Sequence, residues 1–191
     1  MNSNRVGVVG SALMGTGIAT KFALAGVSTV VIESDTTRIT KIPLLVDDML
    51  AELKASGLIT AMQCEAVQKR ISTSTDLTAV AAARIVIEAI FASNTSGLLP
   101  DALCKNMSNR GRFLIAHFWN PPHMIPLVEV VPGSWTTPST VEKTVALLNG
   151  IAAEPVVLKV RFLGSSVINC NLRCCVKPCL SYKAARQMPR P

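Results

Sequence analysis

Arg5-Val-Gly-Val-Val9-Gly10-Ser11-Ala12-Leu13-Met14-Gly15-Thr16-Gly17 reads as a short apolar strand that runs straight into a glycine-rich turn. Ile18 to Ala25 then has the composition of a helix, stopped by Gly26. A second strand, Thr29 to Ile32, delivers Glu33 at its end, 23 residues after Gly10. Strand, tight turn, helix, strand and acid in this order form a dinucleotide-binding fingerprint. The first glycine makes the turn, the helix N-terminus presents free N–H groups to a pyrophosphate, and the acid accepts the adenosine ribose hydroxyls. The expected fold is therefore α/β, a Rossmann-type doubly wound and mostly parallel sheet. Gly10, Ala12, Leu13, Met14 and Gly15 are placed at the pyrophosphate and Glu33 at the ribose. The acid selects NAD over NADP, because a 2′-phosphate beside Glu33 would be repelled. One position departs from the fingerprint: Ala12 stands where the second glycine allows close approach, so its methyl should push the cofactor outward and weaken binding.

Beyond Glu33, Ile39, Ile42, Leu45, Val46, Met49, Leu50 and Leu53 recur at helical spacing, with Gly57 as a stop and a shorter helix after it. Ile71 to Asp76 and Arg84 to Ile90 read as strands flanking a short helix from Leu77 to Ala83. Ile90 passes through Phe91 and Ala92 directly into Ser93, too short a link for two parallel strands. Either residues 84–93 are one continuous strand or one parallel strand is missing. A helix from Leu98 to Met107, another from Thr140 to Asn149 and a last strand from Pro155 to Lys159 complete the pattern.

Between those helices lies Phe113-Leu-Ile-Ala-His117-Phe-Trp-Asn120-Pro-Pro-His123-Met-Ile-Pro-Leu127-Val-Glu129-Val-Val131. Two apolar runs flank a proline hinge, and neither proline can donate to a sheet. The returning strand can bring Glu129 back towards His117, and a carboxylate beside an imidazole builds a general base near pH 7. The spacing is served equally by a core histidine with Glu129 exposed on an edge strand. His123, on the hinge, is expected to be exposed and dispensable.

The run His117-Phe-Trp-Asn-Pro-Pro-His…Pro-Leu-Val-Glu129-Val-Val, with Ser93-Asn94-Thr95-Ser96 before it, resembles the NAD-binding domain of the 3-hydroxyacyl-CoA dehydrogenase family. The resemblance implies that His117 takes the proton of a substrate 3-hydroxyl as hydride leaves for the nicotinamide, and that Glu129 orients it. It further implies that Ser96, Asn94 and Asn120 lie at cofactor and substrate, and that the helices of residues 36–70 help to hold coenzyme A. The implied partner is a 3-hydroxyacyl-CoA or another 3-hydroxy acid, such as a sugar acid. Relatives carry an acid-rich helix after the strand that ends here at Ile90, and a helical second domain that forms the dimer interface and closes the pocket. Neither is legible in this sequence, so the expectation is a shortened, weakly active or inactive enzyme, with a non-catalytic NAD-binding remnant as the alternative.

The 191 residues carry a formal net charge of +7, but Arg161, Arg173, Lys177, Lys183, Arg186 and Arg190 are answered by no acid after residue 159. Of the 19 bases, 13 remain to face all 12 acids in residues 1–159, so the body is nearly neutral and no nucleic-acid partner is implied. The expected division is a cofactor domain over residues 1–159 and an unstructured basic tail over 160–191. Cys170, Cys174, Cys175 and Cys179 lie in that tail without the tight pairs that zinc knuckles favour, so no metal is assigned, and disulfides do not suit the expected cytoplasmic location. A separate interaction module built on this tail is a third, weaker reading. No stretch approaches the roughly 20 apolar residues of a membrane span.

Overall fold

The computed structural model describes residues 5–88 and 100–158. Four parallel strands form the first sheet in the order β3-β2-β1-β4, where β1 is Arg5–Val9, β2 Ser28–Ile32, β3 Ile71–Ser74 and β4 Ile85–Glu88. Helix α1, Leu13–Leu24, makes the crossover from β1 to β2. The link from β2 to β3 holds α2 (Thr36–Ile39), α3 (Ile42–Ala55) and α4 (Ala61–Gln68). Beyond α5 (Pro100–Cys104), a second sheet has the order β5-β6-β7, with β5 Leu114–Phe118, β6 Leu127–Pro132 and β7 Glu154–Val157. Strands β5 and β6 are antiparallel and β7 is parallel to β6, joined to it through α6, Pro138–Asn149. The sheet is thus mostly parallel with flanking helices, as the sequence implies.

One core serves both sheets. Val6, Val8 and Val31 of the first, Phe118, Val128 and Val130 of the second, Phe22 and Ile18 of α1 and Leu148 of α6 are members of a single buried cluster. Truncating a fully buried aromatic such as Phe22 to alanine would cost ~3–5 kcal/mol. The outer helix α3 is amphipathic: Ile42, Val46, Met49, Leu50 and Leu53 face the core and Leu44 is 65% exposed. Gly57, with φ +70°, follows the C-cap of α3 and turns the chain in the left-handed region, where glycine meets no Cβ penalty.

Helix α1 begins at Leu13, not at Ile18, so Gly15 and Gly17 are helical rather than turn residues. The physical reason is that only Gly10, with φ +100°, carries the left-handed turn, and Ala12 is already the extended N-cap at φ −64° and ψ 177°. Gly17 is needed for packing instead. A Cβ there would lie 2.6 Å from Pro122 Cγ, so the hinge after β5 rests directly on the α1 backbone.

Candidate active site

The first half of the site is the turn between β1 and α1. Gly10 N donates to Ile32 O at 2.8 Å, which pins the turn to the end of β2. No side chain caps α1 and no acid stands in its first turn. The N–H groups of Leu13, Met14 and Gly15 therefore have no intrahelical acceptor, and the helix dipole favours an anion before them. This is the donor set a pyrophosphate requires, so the residues present fit NAD at this position.

Glu33 is buried at the end of β2, and its carboxylate holds the same turn. Glu33 Oε2 accepts from Ser11 Oγ at 2.6 Å and from Ser11 N at 3.3 Å, while Oε1 accepts from Asp35 N at 3.1 Å. The Ser11 hydroxyl is the main reason this carboxyl lies below its usual range; the two backbone donors and Arg38 add to it, and burial opposes it. Glu33 is thus held ionised and oriented by the turn itself. Ser11 was not among the residues singled out in the sequence, although its position inside the turn is the signal that could have found it.

The second half comes from β5 and β6. His117 and Glu129 are register partners directly across the antiparallel pair, and His117 Nδ1 lies 3.0 Å from Glu129 Oε2. The Glu129 side chain is 3% exposed and that of His117 36%, so the carboxylate is enclosed and the imidazole reaches the surface of the site. Glu129 is therefore not an exposed edge residue. An ionised carboxylate only accepts, so Nδ1 carries the proton and Nε2 is left with its lone pair free to take another. Glu129 Oε1 and Trp119 Nε1 are buried without a hydrogen-bond partner.

The hinge is folded inward. Pro122 is buried against Gly17, Lys21 Nζ donates to Ile125 O at 3.0 Å, and Asn120–Pro121 is a cis peptide bond. Burial lowers the Lys21 pKa, and Glu154 partly restores it. His123 contradicts its expected exposure: its side chain is 2% exposed and its Nε2 lies 2.9 Å from Glu52 Oε2 on α3. The cause is the Pro122–Gly17 contact, which turns the hinge onto α1 and α3 instead of into solvent.

The α1 turn and the hinge meet at a cleft of about 330 Å³, lined by Leu13 of the turn, Asp48, Met49 and Glu52 of α3, and Asn120 and His123 of the hinge. Asn94 and Ser96 lie outside the described residues, as do the tail cysteines. No group of three or more potential metal ligands occurs among the described residues. None of the described helices is long and apolar enough to cross a membrane.

An uncapped helix behind a Gly10 turn, an oriented acid just after β2 and a histidine–glutamate pair across β5 and β6 are the parts of a nucleotide-binding domain of the dehydrogenase type. The model of the 3-hydroxyacyl-CoA dehydrogenase NAD-binding domain matches residues 5–92 and 88–161. The chain belongs to this family, and its cofactor is NAD. It is 30% identical over 182 residues to a 3-hydroxyadipyl-CoA dehydrogenase of Escherichia coli, covering 82% of this chain and 38% of that one. It is 34% identical over 91 residues to an L-carnitine dehydrogenase of a Pseudomonas species, 48% of this chain and 28% of that one. An (S)-3-hydroxybutyryl-CoA dehydrogenase structure from Ralstonia eutropha superposes with a TM-score of 0.78 at 26% identity, covering 87% of this chain and 68% of that one. The chain thus spans well under half the length of these two curated relatives. The two family matches share residues 88–92.

Proposed function

We propose that the chain carries the NAD-binding and proton-transfer half of a dehydrogenase that oxidises a 3-hydroxyacyl-CoA to its 3-oxo form. The observation that carries this reading is that Leu13 of the nucleotide turn and Asn120, three residues beyond His117, line the same cleft. NAD, when bound, supplies the hydride acceptor. The chain's own residues do the rest. Leu13, Met14 and Gly15 N–H groups hold the pyrophosphate, and Glu33 takes the ribose hydroxyls. His117 Nε2 accepts the proton of the substrate's 3-hydroxyl as the C3 hydride departs, leaving a carbonyl. Glu129, at 3.0 Å from Nδ1, fixes the tautomer and stabilises the imidazolium. Asn120, Asn94 and Ser96 complete the polar contacts of the site in this proposal.

Turnover by the 191-residue chain is proposed to be low. In the sequence Ile90 passes through Phe91 and Ala92 directly into Ser93, which leaves no stretch for the helix that the resemblance places beside the nicotinamide. A misplacement of about 1 Å costs on the order of a hundredfold in rate. The test is NADH formation from 3-hydroxybutyryl-CoA, with NADH titration by fluorescence alongside. Weak NADH binding and slow turnover abolished by His117→Ala are expected. Turnover that survives the substitution refutes the assigned base, fast turnover refutes the low activity, and undetectable NADH binding refutes the nucleotide site.

A second substrate, a 3-hydroxy acid that is not a CoA ester, is favoured by the cleft lining. Asp48 and Glu52 line it and no lysine or arginine does among the described residues, an arrangement that suits a neutral or cationic end better than phosphates. Turnover of L-carnitine in preference to 3-hydroxybutyryl-CoA is the outcome that would decide for this reading.

A further inference from the structure

The hinge after β5 carries a second histidine–carboxylate pair that the oxidation chemistry does not use. His123 Nε2 meets Glu52 Oε2 at 2.9 Å, across 71 residues of sequence. Since the carboxylate only accepts, Nε2 carries the proton, and Nδ1 is left a buried acceptor without a partner. An imidazole enclosed to 2% exposure with one nitrogen unsatisfied is a poor packing residue. A phenyl or aliphatic side chain would fill the space without stranding a lone pair. What the histidine adds lies at Nε2.

The direction of that bond distinguishes it from the other anchors of the hinge. Pro122 rests on Gly17 and Ile125 O accepts from Lys21, so both of those fix the hinge to α1. Glu52 belongs to α3, the helix that forms the opposite wall of the cleft through Asp48 and Met49. The bond therefore spans the cleft, and it sets the distance between α3 and the hinge that carries Asn120. Glu52 is 53% exposed in its side chain, so nothing in the packing of α3 requires it to point this way.

We infer that His123 and Glu52 are positioning residues for substrate: their bond holds the α3 wall against the Asn120 hinge and so sets the width of the substrate cleft. This inference rests on the cleft being the substrate site, as proposed above. It assigns the pair no part in proton transfer and none in holding NAD.

The test uses the full 191-residue chain and three variants, Glu52→Ala, Glu52→Gln and His123→Phe. Glutamine keeps an acceptor oxygen for Nε2, and phenylalanine keeps the packing while removing the bond. Acetoacetyl-CoA and NADH affinities are measured for each. In a Trp135→Phe background, where Trp119 in the hinge is the one remaining tryptophan, its emission is recorded as well. Glu52→Ala and His123→Phe are expected to bind acetoacetyl-CoA about tenfold more weakly, ~1.4 kcal/mol, with NADH affinity unchanged and Trp119 emission shifted to the red. Glu52→Gln should restore both. The inference is overturned if Glu52→Ala binds acetoacetyl-CoA like the parent, if Glu52→Gln is as impaired as Glu52→Ala, or if NADH affinity falls in parallel. Should the parent itself bind no acetoacetyl-CoA, the acyl-CoA reading fails. The emission arm then decides the bond by itself: a shift in Glu52→Ala reversed in Glu52→Gln upholds it, and an unshifted Glu52→Ala overturns it.

Discussion

Gly17→Ala is the sharpest probe of how the hinge is held. The new Cβ would stand 2.6 Å from Pro122 Cγ and 3.2 Å from Pro122 Cδ, against an ordinary carbon contact of ~3.5–4 Å. The proline ring cannot swing away as a long side chain would, so the hinge must lift by roughly 1 Å. Two opposing terms follow. Replacing glycine by alanine inside α1 gains ~1 kcal/mol of helix propensity, while overpacking the buried contact costs ~1–3 kcal/mol. The net loss is ~0–2 kcal/mol, a fall in Tm of up to about 8 °C for a domain of this size. The single variant does not separate the terms, but a double-mutant cycle with Pro122→Ala does. Without Cγ and Cδ the clash is gone, and Gly17→Ala should then stabilise by ~1 kcal/mol, giving a coupling of ~1–3 kcal/mol. Denaturant melts of the four proteins measure it. An equal effect of Gly17→Ala in both backgrounds would show that the helix does not carry the hinge through this contact.

Ala12→Gly should tighten NAD binding, read by NADH fluorescence, and should also steady α1 by some tenths of a kcal/mol because glycine is the better N-cap; weaker binding would place the pyrophosphate elsewhere. Glu129→Gln keeps the shape of the pair but removes its charge, so turnover should fall by ~10²–10⁴ while NADH affinity is retained, and loss of both would instead mark a folding defect. Ser11→Ala removes the main cause of the lowered Glu33 pKa. A depressed carboxyl stabilises the fold fully above its unfolded pKa and loses that contribution as pH falls from there through the lowered folded one, so from roughly pH 5 downward the parent should lose stability more steeply than the variant. Parallel curves of Tm against pH would refute the Ser11–Glu33 hold.

The parts of this molecule that were legible beforehand are those written in short-range pattern. Gly10, the α1 stretch and Glu33 are spaced by the geometry of one crossover, and Glu33 directly follows β2 as that spacing implies. The His117–Glu129 juxtaposition was open to two readings from spacing; the antiparallel register between β5 and β6 brings the two side chains face to face. The burial of His123 is not legible locally because it depends on Gly17 and Glu52, both more than 70 residues away in sequence. The start of α1 was misplaced for a related reason. Glycines at 15 and 17 look like turn residues, yet Gly17 is there for the ring of Pro122.

The single core beneath both sheets has a consequence for how the domain comes apart. Val8 behind the nucleotide turn and Val128 beside Glu129 are members of one buried cluster, so neither sheet can open without exposing the apolar underside of the other. Amide exchange in β1 and in β6 should therefore report the same opening free energy, that of global unfolding, and the two should lose protection together as denaturant is added. A protease that waits for opening would find no partially melted form in which the nucleotide turn survives without the histidine.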